Sequence, residues 1–159
     1  MTETVIDSSI ALTWCFEDEA TAETDALFQR VRDHGAVVPG LWHLEVGNVL
    51  LQAEKRGRIG AADVSTRLAL IADLPISVDQ ETPIQAWRET LRLARAEGLT
   101  VYDAAYLELA SRRALPLLTR DTDLARAALR RGIAVLPLPP ATPAPPTRAR
   151  RRRRENDGQ

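Results

Sequence analysis

Short apolar runs alternate along the chain with longer segments in which apolar residues recur every three or four positions. The short runs have the aliphatic and β-branched composition of buried strands, and they are Thr4–Ile6, Ala36–Val38, Ile76–Val78, Leu115–Leu118 and Ile133–Leu136. Strands that alternate with helices in this way are typical of an α/β fold, in which a mostly parallel sheet is covered by helices on both faces.

The longer segments predict amphipathic helices with one apolar face each. Their apolar positions are Trp42, Val46, Val49 and Ala53 in one helix, Val64, Leu68 and Ile71 in the next, and Ile84, Trp87, Leu91 and Ala94 in a third. Gly35, Gly98 and Gly132 are predicted helix ends, because glycine tolerates the positive φ that closes a last turn.

The composition changes at Pro137. Six of the ten prolines lie within residues 137–146, where they deny hydrogen bonds to helices and sheets. Six arginines follow within residues 148–159, against two acidic residues. We therefore predict one globular domain over residues 1–136, followed over 137–159 by a proline-rich linker and an arginine-rich, disordered tail.

Composition excludes several classes of protein. The single cysteine, Cys15, cannot form an internal disulfide, and with only His34 and His43 beside it a structural zinc site lacks ligands. No export signal and no apolar run near the roughly 18 residues that span a bilayer is seen, so we expect a cytoplasmic protein with no membrane partner. The net charge is −1, and the arginines of the tail leave the rest of the chain acidic, which disfavours nucleic-acid binding through bulk charge.

Four acidic residues occupy positions where a parallel sheet binds ligands, beyond the carboxyl ends of its strands. Asp7 and Asp121 follow predicted strands, Glu45 lies one turn into the helix after the second strand, and Asp103 opens a largely apolar helical segment. Each aspartate could instead be a helix N-cap, which typically contributes about 1 kcal/mol. For Glu45, a favourable interaction with the helix dipole explains only in part why an acid occupies the first turn of its helix.

If the four carboxylates converge, they repel one another unless a cation neutralises them. Oxygen ligands without thiolates favour a hard ion such as Mg²⁺ or Mn²⁺. Other chemistries that depend on an aspartate after the first strand lack their partner residues. A dehalogenase-like phosphatase requires a second Asp at the position of Ser9, and a receiver domain requires a lysine after a late strand, whereas the only lysine, Lys55, lies in a predicted helix far from that position. No glycine-rich phosphate loop follows the first strand.

Four segments, in this order and at these spacings, resemble the successive motifs of PIN domains. They are Val5–Trp14, Leu44–Leu50, Thr100–Tyr106 and Leu118–Asp121. Within that family the chain is most similar to the VapC toxins of type II toxin–antitoxin modules. The resemblance implies a three-layer α/β/α sandwich, RNA cleavage that depends on Mg²⁺ or Mn²⁺, a homodimer, and inhibition by a cognate antitoxin protein.

Carried over residue by residue, the resemblance makes Asp7, Glu45, Asp103 and Asp121 the catalytic acids that hold the metal. Asp123 is a candidate fifth acid, Asn48 matches a position that steadies Glu45, and Thr119 matches one that orders the site by hydrogen bonding.

The expected reaction is attack of a metal-activated water on the RNA phosphodiester, leaving 5′-phosphate and 3′-hydroxyl ends. Two alternatives stay open: a PIN nuclease of RNA maturation without an antitoxin, and a PIN-fold binding module without catalysis.

Overall fold

Five parallel strands form the centre of the computed structural model, which describes residues 3–138. In chain order they are β1 (Thr4–Ile6), β2 (Ala36–Val38), β3 (Ile76–Val78), β4 (Leu117–Leu118) and β5 (Val135–Leu136). In the sheet their order is β3-β2-β1-β4-β5. The predicted bounds of the first three strands are confirmed, whereas β4 and β5 are each two residues shorter than predicted.

Eight helices connect the strands within the described residues. They are α1 (Ser8–Thr13), α2 (Ala22–His34), α3 (Trp42–Lys55), α4 (Ala61–Ala72), α5 (Thr82–Gln85), α6 (Glu89–Glu97), α7 (Val101–Arg113) and α8 (Thr122–Arg130), with a 3₁₀ turn over Glu17–Glu19. Helix α3 packs against α1 and α4, and α7 packs against α5, α6, α8 and the central strands β1 and β4. The fold is the α/β/α sandwich predicted from the sequence.

The core lies around β1 and α7. All three residues of β1 are inaccessible to solvent, because the strand has neighbours on both sides and helices above and below. Helix α7 is buried at seven consecutive positions, Ala104–Ala110, which is more than one apolar face can account for. This helix therefore runs through the interior and carries the side chains at its amino-terminal end to a fixed place beside the sheet.

An ion-pair cluster joins α7 to the segment after β3. The Arg112 guanidinium lies 2.8 Å from the Glu108 carboxylate and 2.8 Å from that of Asp79. The side chains of Asp79 and Glu108 are 6% and 3% exposed, and that of Arg112 is 22% exposed. Thr82 donates a further hydrogen bond to Asp79 over 2.8 Å. The cluster thus satisfies two buried carboxylates with one cation.

Three details of the helix predictions were wrong. Leu68, predicted on the apolar face of α4, is 39% exposed, and Ile71 is the residue of that helix that is buried. The buried face of α3 consists of Trp42, Val46, Leu50 and Ala53, and Val49 lies outside it with 37% exposure. The third predicted helix is divided into α5 and α6, because the backbone of Arg88 (φ −115°, ψ −103°) leaves the helical region. Trp87 lies in the turn between them and is 91% exposed.

Glycine ends two helices where it was predicted to do so. Gly35 follows α2 with φ 78°, and a Cβ there would lie 3.2 Å from the carbonyl oxygen of Pro75. Gly98 follows α6 in the left-handed conformation, with φ 67°. Both positions require a backbone conformation that glycine adopts at little cost.

None of the helices between residues 3 and 138 is long and apolar enough to cross a membrane. The proline-rich and arginine-rich segment predicted for residues 137–159 lies outside the described residues from 139 onward.

Candidate active site

Asp7 is fixed at the carboxyl edge of the sheet, directly after the central strand. Its amide donates to the carbonyl of Leu118 over 2.9 Å, and the residue is 4% exposed. One carboxylate oxygen, Oδ2, accepts from Ser9 Oγ at 2.7 Å and from Thr119 Oγ1 at 2.8 Å. The other, Oδ1, lies 3.3 Å from Ser8 Oγ, whose single proton also faces Glu45 at the shorter distance of 3.1 Å. Hydroxyl groups therefore hold this buried carboxylate in one orientation.

Glu45 projects from the first turn of α3 toward Asp7. Its Oε1 accepts a 2.8 Å hydrogen bond from the hydroxyl of Tyr106, and its Oε2 accepts a 3.1 Å bond from Ser8. Ser8 thus lies between the carboxylates of Asp7 and Glu45. Tyr106 is inaccessible to solvent on α7, so α1, α3 and α7 meet at Glu45.

Asp103 does not open its helix, contrary to the prediction. Helix α7 begins at Val101, and Thr100 is its N-cap, because the Thr100 hydroxyl accepts from the amide of Asp103 at 3.1 Å. The same hydroxyl donates to Oδ2 of Asp103 over 2.8 Å. Asp103 therefore lies in the first turn of α7 and is half-buried.

Asp121 is a helix N-cap, which was the structural alternative considered for it. Its Oδ1 accepts from the amide of Leu124 at 2.7 Å and caps α8. Its own amide donates to the hydroxyl of Thr119 over 3.0 Å, which connects Asp121 to the group that holds Asp7. The neighbouring Asp123 has a side chain that is 83% exposed, 4.0 Å from Arg126.

Glu45 and Asp103 lie close enough to other acids for those charges to raise their pKa values. Burial raises the pKa of Glu45, and the charges of Asp7 and Asp103 raise it further, against the hydrogen bonds that Glu45 accepts. Burial also raises the pKa of Asp103, with added contributions from Asp121, Asp7 and Asp123 against the hydrogen bond from Thr100. All five acids therefore belong to one electrostatic cluster.

Tyr106 stays a hydrogen-bond donor within this cluster. Burial, and then the negative charges of Glu45 and Asp7, raise the pKa of its phenol. Because a carboxylate only accepts, the bond between Tyr106 and Glu45 is one in which the protonated phenol donates.

Within residues 3–138, neutral donors contact the four acids of the predicted quartet: hydroxyl groups contact Asp7, Glu45 and Asp103, and the backbone amide of Leu124 contacts Asp121. Among the ion pairs formed within residues 3–138, none includes Asp7, Glu45, Asp103 or Asp121. The side-chain donors are the hydroxyls of Ser8, Ser9, Thr100, Tyr106 and Thr119. The part of the chain between residues 3 and 138 thus orients these carboxylates without forming an ion pair with any of them.

The candidate ligands suit a hard divalent cation, since they are carboxylate oxygens that form no ion pairs within residues 3–138. In the part of the chain that the structure describes, however, no group of three or more His, Cys, Asp or Glu side chains is arranged so that it could hold a metal ion. Mg²⁺ is usually bound by only one or two carboxylates, with waters and substrate phosphates as its other ligands. The metal site therefore stays a prediction.

The conserved pattern of a known family covers most of the chain. The family model of the PIN domain matches residues 4–129. The chain belongs to the PIN domain family. This confirms the resemblance found in the sequence motifs.

Relatives of this PIN domain include proteins of known fold. "Exonuclease VapC9" of Pyrobaculum aerophilum is 35% identical over 80 residues, which cover 50% of this chain and 57% of that protein, so the match spans little more than half of the relative's length. The crystal structure of PAE2754 from Pyrobaculum aerophilum superimposes with a TM-score of 0.62 at 24% identity, over 84% of this chain and 89% of the other. The crystal structure of FitAcB from Neisseria gonorrhoeae superimposes with a TM-score of 0.56 at 15% identity, over 83% of this chain and 95% of the other. At these identities the two structures show the fold.

The hydroxyl donors other than Thr119 were not predicted from the sequence of this PIN domain. Ser8 and Ser9 directly follow Asp7, and Thr100 stands three residues before Asp103, a spacing that indicates an N-cap. Those signals were present in the sequence. The contact of Tyr106 with Glu45 spans 61 residues and could not be read from local spacing. Asn48, expected to steady Glu45, is exposed on α3, and its role stays a prediction.

Proposed function

We propose that this PIN domain is a metal-dependent endoribonuclease that acts in the cytoplasm as the toxin of a VapBC-type toxin–antitoxin module. The observation that carries the proposal is the group of four acids near the carboxyl edge of the sheet. Within residues 3–138 they are oriented by neutral hydroxyl and amide donors and form no ion pairs. Such an arrangement keeps negative charge where a cation and a phosphodiester would meet.

Asp7, Glu45, Asp103 and Asp121 would hold Mg²⁺ or Mn²⁺, with Asp123 as a further acid at the rim. When bound, the cation supplies activation of a water and neutralisation of the charge on the phosphodiester under attack. The chain's own contribution is orientation: Ser9 and Thr119 keep Asp7 in place, and Tyr106 and Ser8 do so for Glu45. In the proposed attack by water, the bond between phosphorus and the 3′ oxygen would break and the RNA 2′-hydroxyl would take no part, so the products would carry 5′-phosphate and 3′-hydroxyl ends.

The toxin role is supported by the resemblance of the four motifs to VapC toxins and by the 35% identity to a protein named VapC9. It includes a cognate antitoxin and a homodimer as the proposed partners, in addition to RNA. Because that relative is named an exonuclease, the experiment has to distinguish internal cleavage from cleavage at RNA ends.

The test is incubation of the full chain with circular and linear single-stranded RNA in EDTA, Mg²⁺ or Mn²⁺, with mapping of the product ends. We expect both RNAs to be cut when metal is present, and activity to be lost in Asp7→Asn. The matched control is Asp73→Asn, which removes an exposed carboxylate at the end of α4 and should keep full activity.

Three results would contradict the proposal. Products with 2′,3′-cyclic phosphates would exclude attack by water, and full activity of Asp7→Asn would exclude the site. Cleavage of linear RNA alone would show an exonuclease. The toxin role is tested separately, by growth arrest on induced expression: arrest by wild type and not by Asp7→Asn supports it, and unimpaired growth with active enzyme contradicts it.

A further inference from the structure

Glu45 is the one acid of the predicted quartet whose two carboxylate oxygens each accept a side-chain hydrogen bond from a different helix, within the described part of the chain. Tyr106 on α7 donates to Oε1 at 2.8 Å, and Ser8 on α1 donates to Oε2 at 3.1 Å. Two donors on opposite oxygens fix both the direction of the side chain and the rotation of the carboxylate plane.

The arrangement leaves Glu45 able to bind a cation. A carboxylate oxygen has two lone pairs, so each oxygen that accepts one hydrogen bond keeps a lone pair for a metal. A lysine or arginine in place of Tyr106 would bring a positive charge that competes with the metal, whereas a phenol and a serine hydroxyl bring none. Metal-ligating carboxylates are in general oriented by such outer hydrogen bonds.

Tyr106 also differs from an ordinary core tyrosine in the group that its hydroxyl contacts. The ring is inaccessible to solvent and packs in the core, yet the hydroxyl reaches a side chain of the predicted site, on another helix. Packing alone would be served equally well by phenylalanine. The hydroxyl therefore calls for an explanation other than the core.

We propose that Tyr106, together with Ser8, is a positioning residue that holds Glu45 in the orientation in which it binds the divalent cation. The inference rests on the proposed function, and it assigns a role to two residues outside the acidic quartet. Neither residue touches the substrate in this proposal, since both act through Glu45.

The first experiment compares Tyr106→Phe with Tyr102→Phe in the full chain. Tyr102 lies one turn earlier on α7 and is 68% exposed, so the control removes the same atom from the same helix. Binding of Mn²⁺ to metal-free protein is measured by titration with electron paramagnetic resonance. We expect binding to weaken about tenfold in Tyr106→Phe, as is typical for loss of an outer-shell partner, and to stay unchanged in Tyr102→Phe. With RNA, kcat at a fixed Mn²⁺ concentration should fall in Tyr106→Phe while the KM for RNA stays constant.

A double-mutant cycle with Glu45→Gln separates positioning from a general structural effect. If Tyr106 acts through Glu45, Tyr106→Phe should weaken Mn²⁺ binding in the wild-type background and have no further effect in Glu45→Gln. A full tenfold effect in both backgrounds would overturn the inference. Ser8→Ala provides a second test, with the same expected non-additivity, should Tyr106→Phe fail to fold.

The outcomes distinguish this inference from the proposed function. Wild-type protein that binds no Mn²⁺ would overturn both. Wild-type protein that binds Mn²⁺ and cleaves RNA, with the same affinity in Tyr106→Phe, would overturn the inference alone.

Discussion

Replacing Arg112 with methionine should destabilise the fold strongly, although Arg112 is a charged residue with contact to solvent. The substitution keeps the aliphatic stem and removes the guanidinium that lies 2.8 Å from both Asp79 and Glu108. These two side chains, 6% and 3% exposed, would then be buried carboxylates without a cation. The cost comes from the charges left behind and not from lost packing.

The expected magnitude follows from this burial. Removing one partner of a buried ion pair costs about 3–5 kcal/mol, and we expect about 3 kcal/mol here because the 22% exposure of Arg112 admits some water. In a domain of this size that corresponds to a decrease of about 6–12 °C in the melting temperature. Arg113→Met is the matched control: its guanidinium lies 3.1 Å from Glu3, and the side chains are 41% and 30% exposed. An exposed pair of this kind contributes less than about 1 kcal/mol.

The free energy of unfolding should be measured by urea titration at several pH values. Burial acts to raise the pKa of Asp79, but hydrogen bonds from Arg112 and Thr82 outweigh it and hold that pKa below its ordinary value. A lowered pKa stabilises the fold above the ordinary value of about 4 and loses this effect as the pH falls through the folded-state pKa. The difference between wild type and Arg112→Met should therefore be full at pH 7 and shrink below about pH 4. Equal destabilisation by Arg112→Met and Arg113→Met, or a difference independent of pH, would refute this reasoning.

Three further changes test the site and the core. Glu45→Gln should abolish RNA cleavage and raise the melting temperature of the protein in EDTA at pH 7, because the raised pKa of Glu45 means that its ionised form destabilises the fold. The gain in melting temperature should vanish as the pH falls through the pKa of Glu45, and a lower melting temperature of the variant at pH 7 would contradict this prediction. Asp121→Asn should keep the stability of the N-cap and lose cleavage, whereas Asp121→Ala should also lose about 1 kcal/mol in urea titration; equal stability of the two variants would exclude the cap. Leu50→Ala should cost about 2–5 kcal/mol and Val49→Ala less than about 1 kcal/mol, and the reverse order would mean that Val49 faces the core after all.

The strands were predictable because each is a short run rich in aliphatic and β-branched residues. All residues of β1, β2 and β4 are buried, whereas the edge strand β3 is largely exposed. Thr4–Ile6, Ala36–Val38 and Ile76–Val78 were predicted with the bounds that the structure has. The runs at Leu115 and Ile133 were extended too far, since both residues are apolar and pack against the core without joining the sheet. An apolar side chain indicates burial, and hydrogen bonding between strands is a separate property.

Helical spacing gave wrong predictions of burial at apolar residues that face solvent. Trp87 occupies the position that a continuous helix from Ile84 to Ala94 would bury, yet the backbone turns at Arg88 and leaves the indole outside. Whether such a side chain packs depends on the neighbouring elements, which local sequence does not describe. In α3, Val49 and Leu50 are adjacent and both apolar, so local sequence alone could not decide which of the two is buried.

At the candidate site, the sequence identified the acids but not what holds them. An acid after a strand is visible locally, and Thr119 was carried over from the family resemblance. The hydroxyls of Ser8 and Tyr106 contact Glu45 across 37 and 61 residues. Contacts of this range depend on how α1, α3 and α7 are placed on the sheet, so they emerge only from the assembled fold.

The alanines of α7 have a consequence for protein engineering. Ala104, Ala105 and Ala110 are at most 4% exposed on a helix that packs against α6, α8, β1 and β4, so their small size allows these elements to approach α7 closely. A larger side chain at any of them would push the helix outward and move Asp103 and Tyr106 together. Efforts to redesign the specificity of this protein should therefore leave α7 untouched and diversify the exposed surfaces around it.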